Sequence, residues 1–199
     1  MARRADHTRE ELVELIIDSA QKMIVELGVE KFSARALSKK IGYAPGTLYH
    51  HFEDLDAIVT AVNVKTLSGL AASFAKARDA EPNANTLHVY ADVFISYVRN
   101  HKHLWNALFE FKRSEDSEVP DWYVAKIDGL IQILTDCFVA IRKDLPIEEA
   151  QRASRLLFAS VHSVSSLENS GRLELIMNRS IDDVAHELVD IHISAYQAR

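Results

Sequence analysis

Cysteine, glycine and proline are all scarce in this chain. A lone cysteine, Cys137, among 199 residues excludes an internal disulfide and any zinc site built from several cysteines of one chain. Only 6 glycines and 4 prolines punctuate the sequence, and with 48% hydrophobic and 26% charged residues they predict a helix-rich globular protein rather than a disordered one. No apolar run of bilayer length is read, and the N-terminal MARRADHTREELVELI lacks the uninterrupted apolar stretch of a signal peptide. The expected location is therefore cytoplasmic, with no membrane partner. Phosphate loop, HExxH pair, nucleophile elbow and Cys-His pairing are absent too, so no catalytic residue, metal ligand or cofactor is expected.

A basic excess is also missing, since the formal net charge is -6. Its distribution is uneven. Residues 1–52 carry 8 Lys and Arg against 7 Asp and Glu, whereas residues 53–199 carry 15 against 22, so only the first part tolerates a polyanion.

What is present is helical periodicity from end to end. Leu12, Ile16, Ala20, Met23 and Leu27 recur at three or four residues, and Gly28 stands where a left-handed residue ends a first helix. Ser33 is the expected N-cap of a short second helix, closed by Gly42. A third begins within IGYAPGTLYHHF, where Pro45 suits the first turn because its missing N–H is not needed there. At 100° per residue, Ala44, Leu48, His51 and Phe52 point to one side and Pro45, Gly46, Tyr49 and His50 to the other. The acidic EDLD opens a long fourth helix to about Arg78, followed by the loop DAEPNAN. Further helices are expected from Thr86 to Asn100, over HLWNALFEF, from Asp121 to Lys143 after the loop KRSEDSEVP, from Pro146 to Ser170, and after a Ser180/Asp183 cap. The fold class is all-α, with about nine helices.

Two short helices joined by a glycine turn describe a helix-turn-helix, whose second helix presents its first residues to base edges in the major groove. The stretch IIDSAQKMIVELGVEKFSARALSKKIGYAPGTLYHHF resembles the DNA-binding domain of the TetR family of transcriptional regulators, through its ELG, its glycine turn and its LYxHF ending. The resemblance implies a helix-turn-helix domain at 1–55, with the motif at 33–52, joined by the long helix to a ligand-binding and dimerisation domain at 56–199. It also implies phosphate contacts from Ser33, Arg35, Thr47 and Tyr49, and places Tyr43, Pro45, Gly46 and His50 nearest the bases. Lys39 and Lys40 add general attraction, and Arg3, Arg4 and Arg9 form a candidate arm. Two residues depart from the family pattern: Ala44 stands where Ser or Thr is common, and Leu55 where Lys is common.

One helix-turn-helix reads few bases, so a twofold dimer on a pseudo-palindromic double-stranded site is expected. Candidate pairing stripes are Leu157, Val161 and Val164 on one helix and Leu188, Ile191 and Ala195 on the last, forming a four-helix bundle with a second chain. The middle helices hold Phe94, Tyr97, Trp105, Phe109, Trp122 and Tyr123, with His162 as a polar handle. The family resemblance implies that such a set lines a pocket for an apolar or aromatic small-molecule inducer. The expected function is a transcriptional regulator, a repressor released by inducer. The alternatives are a helical protein-interaction module and a metal-dependent helical enzyme.

Overall fold

The computed structural model describes residues 7–80, 86–111 and 119–197. Arg3 and Arg4 lie outside the described residues, as does most of the two expected loops DAEPNAN and KRSEDSEVP. Among the described residues the chain forms ten α-helices and no strand. They are α1 (Arg9–Leu27), α2 (Ala34–Ile41), α3 (Pro45–His51), α4 (Leu55–Ala80), α5 (Thr86–Asn100), α6 (Lys102–Glu110), α7 (Asp121–Ile141), α8 (Ile147–Asn169), α9 (Leu173–Met177) and α10 (Ile181–Gln197), with a 3-10 turn at Val29–Lys31. The five-residue α9 has too short an apolar period to stand out in the sequence; it ends at Asn178, whose φ of 49° is the left-handed value asparagine tolerates.

Side-chain caps set the starts of the first helices. Thr8 and Glu11 form a reciprocal capping box before α1, with the Glu11 amide donating to Thr8 Oγ1 at 3.2 Å and the Thr8 amide donating to Glu11 Oε2 at 2.7 Å. Ser33 Oγ accepts the Ala36 amide at 3.3 Å to open α2, and Asp54 Oδ1 accepts the Ala57 amide at 2.7 Å to open α4. Ala44 precedes α3 without a side-chain cap. Gly42 closes α2 in the left-handed region at φ 76° and ψ 22°, whereas Gly28 closes α1 with φ 79° but an extended ψ of 161°, leading straight into the 3-10 turn.

The chain divides into two compact units, Met1–Thr66 with His101–Val119 and Leu67–Asn100 with Pro120–Arg199. The expected boundary at 55/56 falls earlier than this division, because Ile58, Val59 and Val62 of α4 are buried in the first unit's core with Ile16, Ile24, Leu37 and Leu48. Helix α6 joins the same core through Leu104 and Ala107, and His103 Nδ1 lies 2.6 Å from the Val25 carbonyl oxygen. Lys65 braces α4 to α1 by ion pairs to Asp18 at 2.6 Å and Glu14 at 3.0 Å. By length and apolarity alone α4 meets the measure of a membrane-crossing helix, which corrects the expectation that no such run exists. Half of its apolar window is buried within the protein, and Asp56, Thr60, Asn63 and Thr66 are buried along it, a pattern proper to a core helix.

In the second unit α8 is the centre, packing against α7 and α10, while α10 also packs on α5. The buried Thr135 of α7 donates to Ser154 Oγ of α8 at 3.1 Å, and Ser154 in turn donates to the Ala150 carbonyl at 2.8 Å, so the polar pair is satisfied inside an apolar interface. Helices α5 and α10 are joined by crossed pairs: His88 Nε2 meets Asp190 at 3.0 Å and His186 Nε2 meets Asp92 at 2.6 Å, with the two imidazoles edge to face at 5.0 Å. A Cβ at Gly69 of α4 would lie 2.5 Å from Tyr97 Oη, so any larger residue there would push that ring aside.

Candidate nucleic-acid interface

Helix α3 is divided along its length by burial. Leu48 is 0% exposed in the first unit's core, and the adjacent Tyr49 is 50% exposed. Pro45, Gly46 and His50 are exposed with Tyr49, while Thr47, His51 and Phe52 are half-buried and Ala44, expected to face inward, is exposed. The apolar side is fixed, which leaves the opposite side presented to solvent. Gly46 has nothing within 4 Å of where a Cβ would stand, and its backbone does not require glycine. Packing within the first unit therefore gives no reason for the missing side chain.

Helix α2 supplies the charge. Arg35, Lys39 and Lys40 are exposed, and between residues 31 and 52 there are four Lys or Arg and no Asp or Glu. That local excess, which includes the exposed Lys31, is hidden when the count starts at residue 1. Lys40 is ion-paired to Glu26 at 3.0 Å. Ser33, expected at a phosphate, is half-buried with its hydroxyl committed to the helix cap. Tyr43, expected near the bases, is half-buried against the core, and its hydroxyl lies 2.9 Å from His7 Nδ1. Arg9, the described member of the candidate arm, is in the first turn of α1. Lys65 has its pKa raised, chiefly by its hydrogen bond to Asp18, so the α1–α4 brace stays charged.

The second unit contains an apolar cavity of about 40 Å³ among α4, α5, α7, α8 and α10, bounded by Leu70, Phe74, Tyr90, Phe94, Leu134, Leu157, Phe158 and Val161, among others. Of the aromatics expected to form a pocket, Phe94 is in this wall, edge to face with Phe158 at 5.8 Å. His162 stacks on Phe158 with ring centroids 5.8 Å apart, and burial lowers its pKa. Tyr97 is half-buried against Gly69, and burial raises its pKa. Tyr123 is buried and Trp122 is half-exposed, edge to face with each other on α7. Trp105 and Phe109 sit on α6 in the first unit, because α6 turns Leu104 and Ala107 into that unit's core.

Of the two expected pairing stripes, the one on α8 is turned inward. Leu157, Val161 and Val164 are buried inside the second unit, where the first two line the cavity, so they are not available to another chain. The period identified the buried face of α8 but not what buries it. On the exposed side of α8 are Leu156, Ala159, Ser163 and Ser166, and on α10 Ile191 is 55% exposed, Ala195 exposed and Leu188 half-buried. No group of three or more His, Cys, Asp or Glu among the described residues has the arrangement of a metal site.

Two short helices, a left-handed glycine between them and a third helix behind define the helix-turn-helix class. Residues 16–62 match the family of bacterial regulatory proteins of TetR type, and residues 87–192 match the tetracyclin repressor-like C-terminal domain. The chain belongs to the TetR family. Over 47 residues it is 38% identical to the HTH-type transcriptional repressor Rv1474c of Mycobacterium tuberculosis, covering 24% of this chain and 25% of that protein. It is 29% identical over 105 residues to the HTH-type transcriptional regulator SAR2658 of Staphylococcus aureus, covering 52% and 55%. The chain thus spans between a quarter and just over half the length of these curated relatives. In fold it is similar to a protein of unknown function from Rhodococcus sp. RHA1, with a TM-score of 0.76, 18% identity and 98% of both chains covered.

Proposed function

We propose that this chain is a DNA-binding transcriptional repressor that acts as a homodimer in the cytoplasm and leaves its operator when a small apolar molecule binds. The domain at 1–55 reads DNA, and the remainder binds the inducer and pairs the chains. The observation that carries the reading is the division of α3: Leu48 is locked in the core while Pro45, Gly46, Tyr49 and His50 face out beside Arg35 and Lys39. Gly46 lets a duplex approach the backbone closely, and the cations neutralise phosphates on either side. Two such faces related by a twofold axis read a pseudo-palindrome.

The inducer reading is supported by the apolar wall of the cavity, and the dimer reading by the exposed Leu156 and Ile191 with the small Ala159, Ser163 and Ala195 around them. Small residues allow close helix approach and the two apolar side chains supply the buried area. A ligand releases DNA only by binding the DNA-incompetent state more tightly. The test is a gel shift with duplex from the gene's own upstream region at low salt, together with gel filtration. Retardation that is lost on Tyr49→Ala, from a protein eluting as a dimer, is expected; no retardation of that duplex at any protein concentration up to the micromolar range refutes the proposal.

A further inference from the structure

The apolar cavity of the second unit shares a wall with a larger, more polar space. A cleft of about 570 Å³ opens beside it, lined by Arg78, Asp136, Cys137, Ile141 and Gln197 among others, and Leu87 and Tyr90 line both spaces. The Tyr90 ring packs on the cavity residue Phe74 with centroids 4.7 Å apart. Its phenol end feels the charges around the cleft, Arg78, Asp79 and Asp136, and burial raises its pKa. Tyr90 therefore borders both spaces with a side chain that has an apolar ring and a polar hydroxyl, as tyrosine does at an apolar-polar boundary.

Neither space suffices alone. Sites for small ligands measure roughly 300–1,000 Å³ and are mostly apolar with a few polar groups. The cavity is apolar but far too small; the cleft is large enough but half polar. Leu87 and Tyr90 are the wall residues common to both, so joining the two into one site with an apolar end and a charged end requires these two buried side chains to move. At the charged end, Arg78 is already bonded to Asp79 through Nε at 3.2 Å and Nη2 at 3.1 Å, whereas exposed Asp136 accepts a neutral amide from Gln132 at 2.7 Å. Among the described residues of the cleft, the charge left over is negative.

The geometry points to an amphipathic amine as the ligand class: an apolar body enters the cavity past Leu87 and Tyr90, and a cationic end remains in the cleft beside Asp136. This assignment rests on the reading of the chain as a ligand-released DNA-binding protein, and gives that ligand its chemistry.

The experiment uses full-length protein carrying the fluorescent apolar probe 1-N-phenylnaphthylamine, displaced by decylammonium, decanol or decanoate, with the gel shift run in parallel. Decylammonium is expected to displace the probe at about tenfold lower concentration than decanoate, the size of effect one partly solvated charge contact gives. Asp136→Asn, at an exposed position that leaves folding intact, reduces the difference to about twofold or less, and Asp136→Arg reverses the order. Ala91→Leu, which narrows the cavity wall, weakens all three compounds without changing their order. Decanoate binding as well as decylammonium, an order indifferent to Asp136, or no displacement by any of the three overturns the proposal. Failure to retard DNA is a separate outcome that sinks the regulator reading whichever compound binds.

Discussion

Lys39 and Lys40 are neighbours at the end of α2, but they stand in different electrostatic states. Lys40 Nζ is 3.0 Å from Glu26 Oε2, and no ion pair forms at Lys39 among the described residues. A lysine already neutralised within the protein has little charge to offer a phosphate, so the two should contribute unequally to DNA binding. Each phosphate neutralised adds about 0.9 to the steepness with which log affinity falls against log salt. In the proposed dimer, which carries the residue twice, Lys39→Ala flattens the slope by about 1.8, which between 50 and 200 mM salt is about a twelvefold change in relative affinity. Lys40→Ala should leave the slope nearly as it was. Glu26→Gln should steepen it, because breaking a pair worth at most about 1 kcal/mol frees Lys40 for the duplex. Fluorescence anisotropy of a labelled operator titrated across that salt range measures all three. Equal flattening by Lys39→Ala and Lys40→Ala, or no steepening with Glu26→Gln, would refute the reasoning.

Leu48→Ala empties a fully buried site and should destabilise the first unit by about 2–5 kcal/mol in urea denaturation, whereas Tyr49→Ala, half-exposed, should stay within about 0.5 kcal/mol of wild type while weakening the gel shift. Burial lowers the folded-state pKa of His162, so its protonation favours the unfolded chain: the stability it contributes is present above the unfolded pKa and is lost as pH falls towards the lowered folded value. Thermal melts from pH 7.5 down to 5.5 should therefore show a smaller fall in Tm for His162→Gln than for wild type, and equal falls contradict the assignment. Burial pushes the Cys137 thiol up to about 11, so at pH 8 it should react with a disulfide reagent far more slowly in the native protein than in urea.

The reading helices are legible in the sequence because their signals are local. A serine cap at Ser33, a left-handed glycine at Gly42 and Pro45 at the first turn each act within four residues, and each is found in the structure. The capping box before α1 is equally local, since Thr8 with Glu11 three residues later is a pattern the sequence displays openly. The place of α6 is not legible, because it depends on interactions such as that of His103 with Val25, 78 residues apart in the chain. Nothing in HLWNALFEF distinguishes Leu104 in the core of one unit from Leu104 in the core of the other. The same limit governs Leu157, Val161 and Val164: helical period assigns residues to a face, but whether that face meets its own domain or another chain is decided by residues far away. The cavity wall illustrates it again, since Phe94 belongs to it and Trp122 does not, though both are aromatics on apolar helices.

The crossed pairs between α5 and α10 bear on how this sequence is free to vary. His88 and Asp92 sit one turn apart on α5, and His186 and Asp190 one turn apart on α10, so each helix presents one base and one acid to its opposite on the other. Sliding either helix by a residue breaks both bridges at once, and the arrangement specifies alignment as much as it adds attraction. Losing any one of the four leaves a polar group facing a neighbour that no longer answers it, at the partly buried His88 most of all. Among descendants of this chain the four positions should accordingly change two at a time, acid and base together across the helix pair, and a lineage with only one of them altered should show a compensating change nearby.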